Sequence, residues 1–194
     1  MSLGIVHLTL AGLMFGVFAV AVKHKIAAFP RFRAVLSAYQ LLPNWLLTPM
    51  GCLLIVAELL ACACFLMLLL SPLQVMPLGS GAWVTLSQIG FGTAVLLFST
   101  YLLAMTVNFF RGHRLIDCGC GEQATAIGLG TFLRNALLIL GAVTGVAMAS
   151  VAHPLGSLAA IVAYALALVA WLQYQAAEQM LANSTLRQQL WATS

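Results

Sequence analysis

Residues 46–70 read LLTPMGCLLIVAELLACACFLMLLL, an apolar run in which Glu58 is the only charged side chain. About twenty apolar residues are enough for a helix to cross the hydrocarbon core of a membrane. Pro49 falls near the first turn, where a helix tolerates proline, and Ser71-Pro72 follows the run. The stretch therefore predicts a transmembrane helix.

The rest of the chain has the same character. Of its 194 residues, 63% are hydrophobic and 6% are charged, and the mean hydropathy is +1.06. Soluble domains carry roughly a quarter charged residues. We therefore expect neither a separate soluble domain nor nucleic-acid binding. We predict an all-α fold, a polytopic transmembrane helical bundle of four to five spans.

Five apolar runs are long enough to span a membrane. The first ends in Lys23-His24-Lys25 and has no basic residue before it, the reverse of the charge order of a signal peptide, so we expect it to be retained. We predict one transmembrane domain over residues 1–177 and a polar tail over 178–194. The predicted spans cover about residues 4–22, 46–70, 83–110, 126–150 and 155–175.

Two small-residue motifs predict close helix packing. They are Gly12-x-x-x-Gly16 in the first span and Gly141-x-x-x-Gly145 in the fourth, and such spacing lets two helix backbones approach closely. The linker 23–44 predicts a further short helix at the membrane interface. Its apolar stripe consists of Phe29, Phe32, Val35, Leu36 and Tyr39.

Positive charges alternate between the linkers. The first linker has Lys23, Lys25, Arg31 and Arg33; the third has Arg111 and Arg114, with Arg134 nearby; the second and fourth have none. Because cytoplasmic loops carry an excess of Lys and Arg, this pattern predicts an external amino terminus and a cytoplasmic third linker.

The third linker contains a polar cysteine pair, Asp117-Cys118-Gly119-Cys120-Gly121. The glycines free the backbone, so the two thiols can close a small, strained and easily reduced disulfide ring. Arg111 and Arg114 are close enough in sequence to stabilise a thiolate. These features favour thiol–disulfide exchange.

Two other interpretations of the pair stay open. Soft thiolates with His113 as a third ligand would suit copper(I) or zinc, although three ligands fall short of a tetrahedral set. The cysteines are otherwise two unpaired thiols without chemistry. For Cys52, Cys62 and Cys64 we expect packing roles, since buried cysteine is ordinarily a small hydrophobe.

Glu58 is costly in hydrocarbon and is a candidate functional residue for that reason. Its alternatives are a structural pairing with Lys23 or Arg134, or a neutral, protonated side chain. Arg134 and Asn135, just inside the fourth span, either snorkel to the interface or hold the cysteine linker against the bundle.

The chain resembles the MauE family, the methylamine utilisation membrane proteins grouped with DoxX-like redox-associated membrane proteins. The resemblance runs from the first span to the fourth, and Gly121-Glu122 stands where the family typically continues with Phe-Gly. The matching residues are Lys23, Phe29, Phe32, Tyr39, Pro43, Glu58, Arg111-Gly112, Cys118-Gly119-Cys120 and Arg134-Asn135.

The resemblance implies a multi-pass protein of a bacterial inner (cytoplasmic) membrane that acts as a thiol–disulfide oxidoreductase or maturation factor. It implies a thioredoxin-like, MauD-like partner and a periplasmic client dehydrogenase, besides membrane lipid. No cofactor is firmly implied and no metal is expected; a quinone is compatible as the electron acceptor, by analogy with other membrane disulfide-forming enzymes. The alternatives are a non-catalytic scaffold subunit and a metal-handling protein.

The resemblance assigns Cys118 and Cys120 as the redox pair. The predicted supporting residues are Glu58, Arg111, Arg114, Arg134, Asn135 and Lys23.

Overall fold

A computed structural model describes residues 2–73, 78–112, 128–152 and 155–192, and within these ranges the chain is helical without strands. Five of the helices, all except α2, are long and apolar enough to cross a membrane. The predicted all-α bundle and its five spans are therefore confirmed. The helices are α1 (Ser2–Ala27), α2 (Phe29–Ala38), α3 (Asn44–Leu70), α4 (Ser80–Phe110), α5 (Leu129–Met148) and α6 (Ser157–Ala192).

The first linker forms a helix, as predicted. Proline at the start of α2, Pro30, is tolerated there because its missing N–H would have no partner in the first turn. Phe29 and Leu36 of α2 lie against Gly51 of α3, where an added Cβ would be 3.4 to 3.5 Å from their side chains. The apolar stripe of α2 therefore packs on the bundle.

Helix α1 is central and contacts α2, α3, α5 and α6, while α4 packs against α3 and α5. The core between them is aromatic. Phe18 of α1 stacks on Phe98 of α4 with ring centroids 5.0 Å apart, and Phe65 of α3 meets Phe91 of α4 edge-on at 4.9 Å. These rings join the helices that carry the polar site described below.

The small-residue motifs pack as predicted. A Cβ added to Gly12 would lie 2.6 Å from Cβ of Ala167, and one added to Gly16 would overlap the ring of Trp171. At Gly145 it would overlap the ring of Phe91. Glycine is thus required where α1 meets α6 and where α5 meets α4.

Two helices are longer than the predicted spans. Helix α1 continues through Lys23 and Lys25 to Ala27, and α6 continues from Ser157 through the polar region to Ala192. The apolar run marks only the part of each helix that suits hydrocarbon, and hydropathy does not show where the helix itself ends.

Candidate functional site

A buried ion pair joins α1 to α3. Lys25 Nζ and Glu58 Oε1 form a salt bridge, and the two side chains are only 3% and 1% exposed. Tyr101 of α4 completes the group: its hydroxyl accepts a hydrogen bond from Lys25 at 2.9 Å and donates one to Glu58 at 2.7 Å. Lys25 Nζ also lies 5.0 Å from the ring centroid of Phe32. Three helices thus neutralise one buried carboxylate.

The register of α1 explains why a lysine in its last turn reaches the middle of α3. Phe18 lies beside Phe65, so the chain running on from Phe18 meets α3 near Glu58. Helix α1 ends there, and α2 covers the first half of α3, where Gly51 lies.

The structure corrects the predicted partner of Glu58. Pairing with Lys23 or Arg134 was wrong: Lys23 is exposed and Arg134 has a different acidic partner. Sequence analysis missed Lys25 and Tyr101, because Lys25 was counted as a linker charge and Tyr101 lies in an apolar run. The available signal was the need of a buried carboxylate for a cation, together with a helix α1 long enough to include Lys25.

A second, partly buried ion pair joins α5 to α6. Arg134 is 7% exposed and its guanidinium donates to Glu178 Oε1. Arg134 therefore does not snorkel to the surface. Its neighbour Asn135 is buried and donates to the Thr131 carbonyl oxygen at 3.1 Å. Glu178 was also missed by sequence analysis, which placed it in the polar tail.

A small cavity lies between the two ion pairs. Its volume is about 10 Å³, near the lower limit for one water molecule. Glu58, Tyr101, Arg134, Asn135 and Tyr174 are among its lining residues. Within the described part of the chain, Glu58 Oε2 is buried without a hydrogen-bond partner. One residue of each ion pair, Glu58 and Arg134, therefore lines the same small cavity between α1, α3, α4, α5 and α6.

The ends of the cysteine linker are held by an apolar group that we call the stem cluster. Phe109, near the end of α4, meets Phe132, near the start of α5, with ring centroids 5.7 Å apart. Arg111 donates a hydrogen bond of 3.4 Å to the Gln40 carbonyl oxygen, which ties the end of α4 to the turn before α3. The stem cluster consists of Tyr39 and Met105 with Val35, Leu102, Ala104, Phe109 and Phe132.

The cysteine pair itself lies outside the described residues. Cys118, Cys120, Arg114 and His113 all fall within 113–127, so their predicted roles as redox pair, supporting cation and metal ligand stay predictions.

The other three cysteines are free thiols on α3. Cys64 is buried and Cys62 is partly buried against the core, as expected for packing residues. Cys52 is exposed, so its predicted packing role is wrong. It shares the outer face of α3 with Val56, which is 60% exposed.

Comparison with known proteins places this architecture in a family. The family described as methylamine utilisation protein MauE matches residues 3–148. The "Methylamine utilization protein MauE" of Methylophilus methylotrophus is 33% identical over 120 residues. That alignment covers 59% of this chain and 55% of the relative, so the chain spans about half the length of the curated protein it matches. No solved structure matches. With five helices long and apolar enough to cross a membrane and a family match over most of its length, the chain is a multi-pass membrane protein that belongs to the MauE family.

Proposed function

We propose that this protein exchanges thiols and disulfides through Cys118 and Cys120 in a bacterial inner membrane. In this role it assists disulfide formation and assembly of a periplasmic client of the amine-dehydrogenase type. The observation that carries the proposal is the Cys118-Gly119-Cys120 pair between α4 and α5, inside the region 3–148 that matches the family.

The exchange conserves atoms and electrons. A thiolate of a reduced thioredoxin-like partner or client attacks the Cys118–Cys120 disulfide, and a mixed disulfide forms as one loop cysteine leaves as a thiolate. The second thiolate of the partner then attacks the mixed disulfide. The partner leaves with a new disulfide, and Cys118 and Cys120 are both reduced. Reoxidation of the pair removes two electrons and two protons.

The surrounding helices support this proposal by fixing the ends of the linker. In the stem cluster Phe109, which precedes the linker, packs against Phe132, which follows it. Arg111 stands at the end of α4, and its cationic side chain favours a thiolate near the start of the linker. The exposed Cys52 lies on α3 among lipid-facing side chains, which suits an inert thiol.

Single serine substitutions test the proposal. In Cys118→Ser or Cys120→Ser the disulfide that the reduced partner attacks cannot form. The remaining thiolate can only attack the disulfide of an oxidised partner, and the neighbouring cysteine that would resolve the mixed disulfide is missing, so this species should accumulate in one of the two variants. Client disulfide formation should fall to the level of a deletion strain in both. Non-reducing gels of cells trapped with acid and alkylated measure both quantities.

Cys52→Ser is the matched control and should leave client oxidation unchanged. Normal client oxidation in the double variant Cys118→Ser/Cys120→Ser would refute exchange and favour the scaffold alternative. Stoichiometric metal in the purified reduced protein, lost in the same double variant, would favour the metal-handling alternative with His113.

A further inference from the structure

A second cavity lies between α2, α3 and α4 and has a volume of about 200 Å³. Its walls are mainly apolar and include the aromatic side chains of Phe32, Tyr39 and Tyr101. Lys25 also lines it, so the cavity reaches the buried ion pair. Leu41, at the turn before α3, lines another wall and is 40% exposed, so the cavity lies within reach of the surface of the bundle.

The chemistry of the wall defines the ligand class. An ammonium group carries three N–H donors, and Lys25 donates two hydrogen bonds, to Glu58 and Tyr101. Among the residues that the structure describes, these two bonds use two of the three donors, and the third is left for an acceptor in the cavity that Lys25 lines. The rest of the lining is apolar or aromatic apart from Thr100, whose hydroxyl donates to the Leu96 carbonyl oxygen. The ligand that fits is therefore a lipid-soluble ring bearing a carbonyl oxygen.

The size of the cavity narrows the choice further. Pockets for drug-sized ligands have volumes of about 300–1,000 Å³, so 200 Å³ suits a single substituted ring whose tail extends into lipid. A lipid acyl chain matches the apolar walls but offers no acceptor to Lys25. We infer that this cavity binds the ring of a lipid-soluble quinone, with a quinone carbonyl accepting a hydrogen bond from Lys25 Nζ.

The position of the cavity links it to the cysteine linker. Tyr39, Val35 and Ala104 belong both to the cavity wall and to the stem cluster. The same stem cluster includes Phe109 and Phe132, which flank residues 113–127. The cavity therefore shares wall residues with the cluster that joins the end of α4 to the start of α5, the two helices on either side of residues 113–127 in the sequence.

This inference rests on the proposed thiol–disulfide exchange for its meaning. Closing the Cys118–Cys120 disulfide breaks two S–H bonds and releases two electrons and two protons. A quinone accepts two electrons and two protons as its two carbonyl oxygens become the hydroxyls of a quinol. The pair is oxidised, the quinone is reduced, and the quinol leaves into the lipid.

Photo-crosslinking tests the binding site directly. The probe is a short-chain azido-quinone, added to the purified protein in lipid nanodiscs and competed by decylubiquinone or by hexadecane, a hydrocarbon chain without an acceptor. The protein carries Cys118→Ser and Cys120→Ser, so binding is measured without exchange, and failure of this inference stays distinguishable from failure of the proposed function. Mass spectrometry maps the labelled peptides.

Adjacent residues on α4 supply a matched pair of variants. Ala104 lines the cavity, while Leu103 is 65% exposed on the outside of the bundle. Ala104→Phe fills the cavity and should weaken quinone binding by about tenfold or more, which corresponds to about 1.4 kcal/mol or more. Leu103→Phe adds a similar ring outside and should bind as the parent does.

The inference predicts crosslinks on α2, α3 and α4 that decylubiquinone removes, that hexadecane leaves, and that Ala104→Phe loses. Equal labelling of Ala104→Phe and Leu103→Phe would overturn it. Competition by hexadecane at least as strong as that by decylubiquinone would also overturn it and identify an acyl-chain pocket.

Discussion

Lys25 and Glu58 show why a charge inside a membrane bundle has to be considered together with its partners. Removing two charges from water is costly, and their mutual attraction repays the cost only where geometry and further hydrogen bonds are favourable. Here Tyr101 bonds to both groups, and the ring of Phe32 lies 5.0 Å from the ammonium. The pair is therefore a structural unit that neither residue forms alone.

Breaking this pair should cost far more than removing it. Glu58→Leu leaves the Lys25 ammonium buried without its counter-charge and should destabilise the protein by about 3–5 kcal/mol. The double variant Lys25→Met/Glu58→Leu replaces both charges by apolar groups and should recover most of that loss. Thermal unfolding of each variant in the same detergent measures the difference.

Lys23→Met is the matched control, because Lys23 is exposed, and it should leave stability unchanged. A double variant as unstable as Glu58→Leu would contradict this account and show that the polar group has no apolar equivalent.

At this scale the sequence predicts half of the site. Glu58 stands out because a carboxylate in an apolar run needs an explanation. Lys25 does not stand out, because it is one of several basic residues after the first predicted span. Only the packing of α1 on α3 shows that Lys25, and not Lys23, is the partner of Glu58. Glu178 could not be predicted as a site residue either, because its partner Arg134 is distant in sequence.

Helices α1 and α6 show what close approach requires at the scale of the element. Gly12 of α1 faces Ala167 of α6, and a Cβ atom added to Gly12 would lie 2.6 Å from the Cβ of Ala167. Because the Cβ of Ala167 is fixed to its backbone, neither side can rotate away. Helices in lipid associate mainly through such packing and hydrogen bonds, so this contact matters for the attachment of α6.

Gly12→Ala should therefore force α1 and α6 apart and destabilise the protein by about 1–3 kcal/mol, the usual cost of overpacking. Gly92 of α4 is the matched control, because an added Cβ there meets nothing within 4 Å. Gly92→Ala should be neutral or slightly stabilising, since alanine favours helix over glycine by roughly 1 kcal/mol. Unfolding midpoints that fall equally in both variants would show that the α1–α6 contact is not tight.

Much of the element scale can be predicted from sequence for physical reasons. Long apolar runs are required for a helix to lie in lipid, and small residues at a spacing of four are required for close helix packing. The five spans and the packing glycines can therefore be predicted from the sequence. Helix ends do not, because α6 continues through polar residues that hydropathy assigns to a tail. The position of α2 depends on its contacts with Gly51 of α3, and the apolar pattern of α2 alone does not predict those contacts.

At the scale of the whole molecule, the charge rule and the proposed function make opposite predictions about the cysteine linker. The rule counts basic residues as topology signals and places the linker in the cytoplasm. The structure shows that Lys25 is in a buried ion pair, that Arg134 is in a partly buried one, and that Arg111 donates a hydrogen bond to the Gln40 carbonyl oxygen. Two of the counted charges, Lys25 and Arg134, are therefore buried in the bundle, and the exposed Arg111 contributes to the local structure, which weakens the rule for this chain.

We expect the linker to face the periplasm, where a client would exchange with it. The test uses intact cells and a membrane-impermeant maleimide, with Cys52, Cys62 and Cys64 replaced so that only the linker cysteines react. Labelling should appear only after mild reduction, because the resting pair is expected to be a disulfide.

A second protein carries Ser80→Cys without the linker cysteines. Ser80 is exposed at the opposite end of α4 and should label only after lysis. The reverse pattern, with Ser80→Cys labelled in intact cells and the linker only after lysis and reduction, would contradict direct periplasmic exchange and require electrons to cross the membrane through this protein.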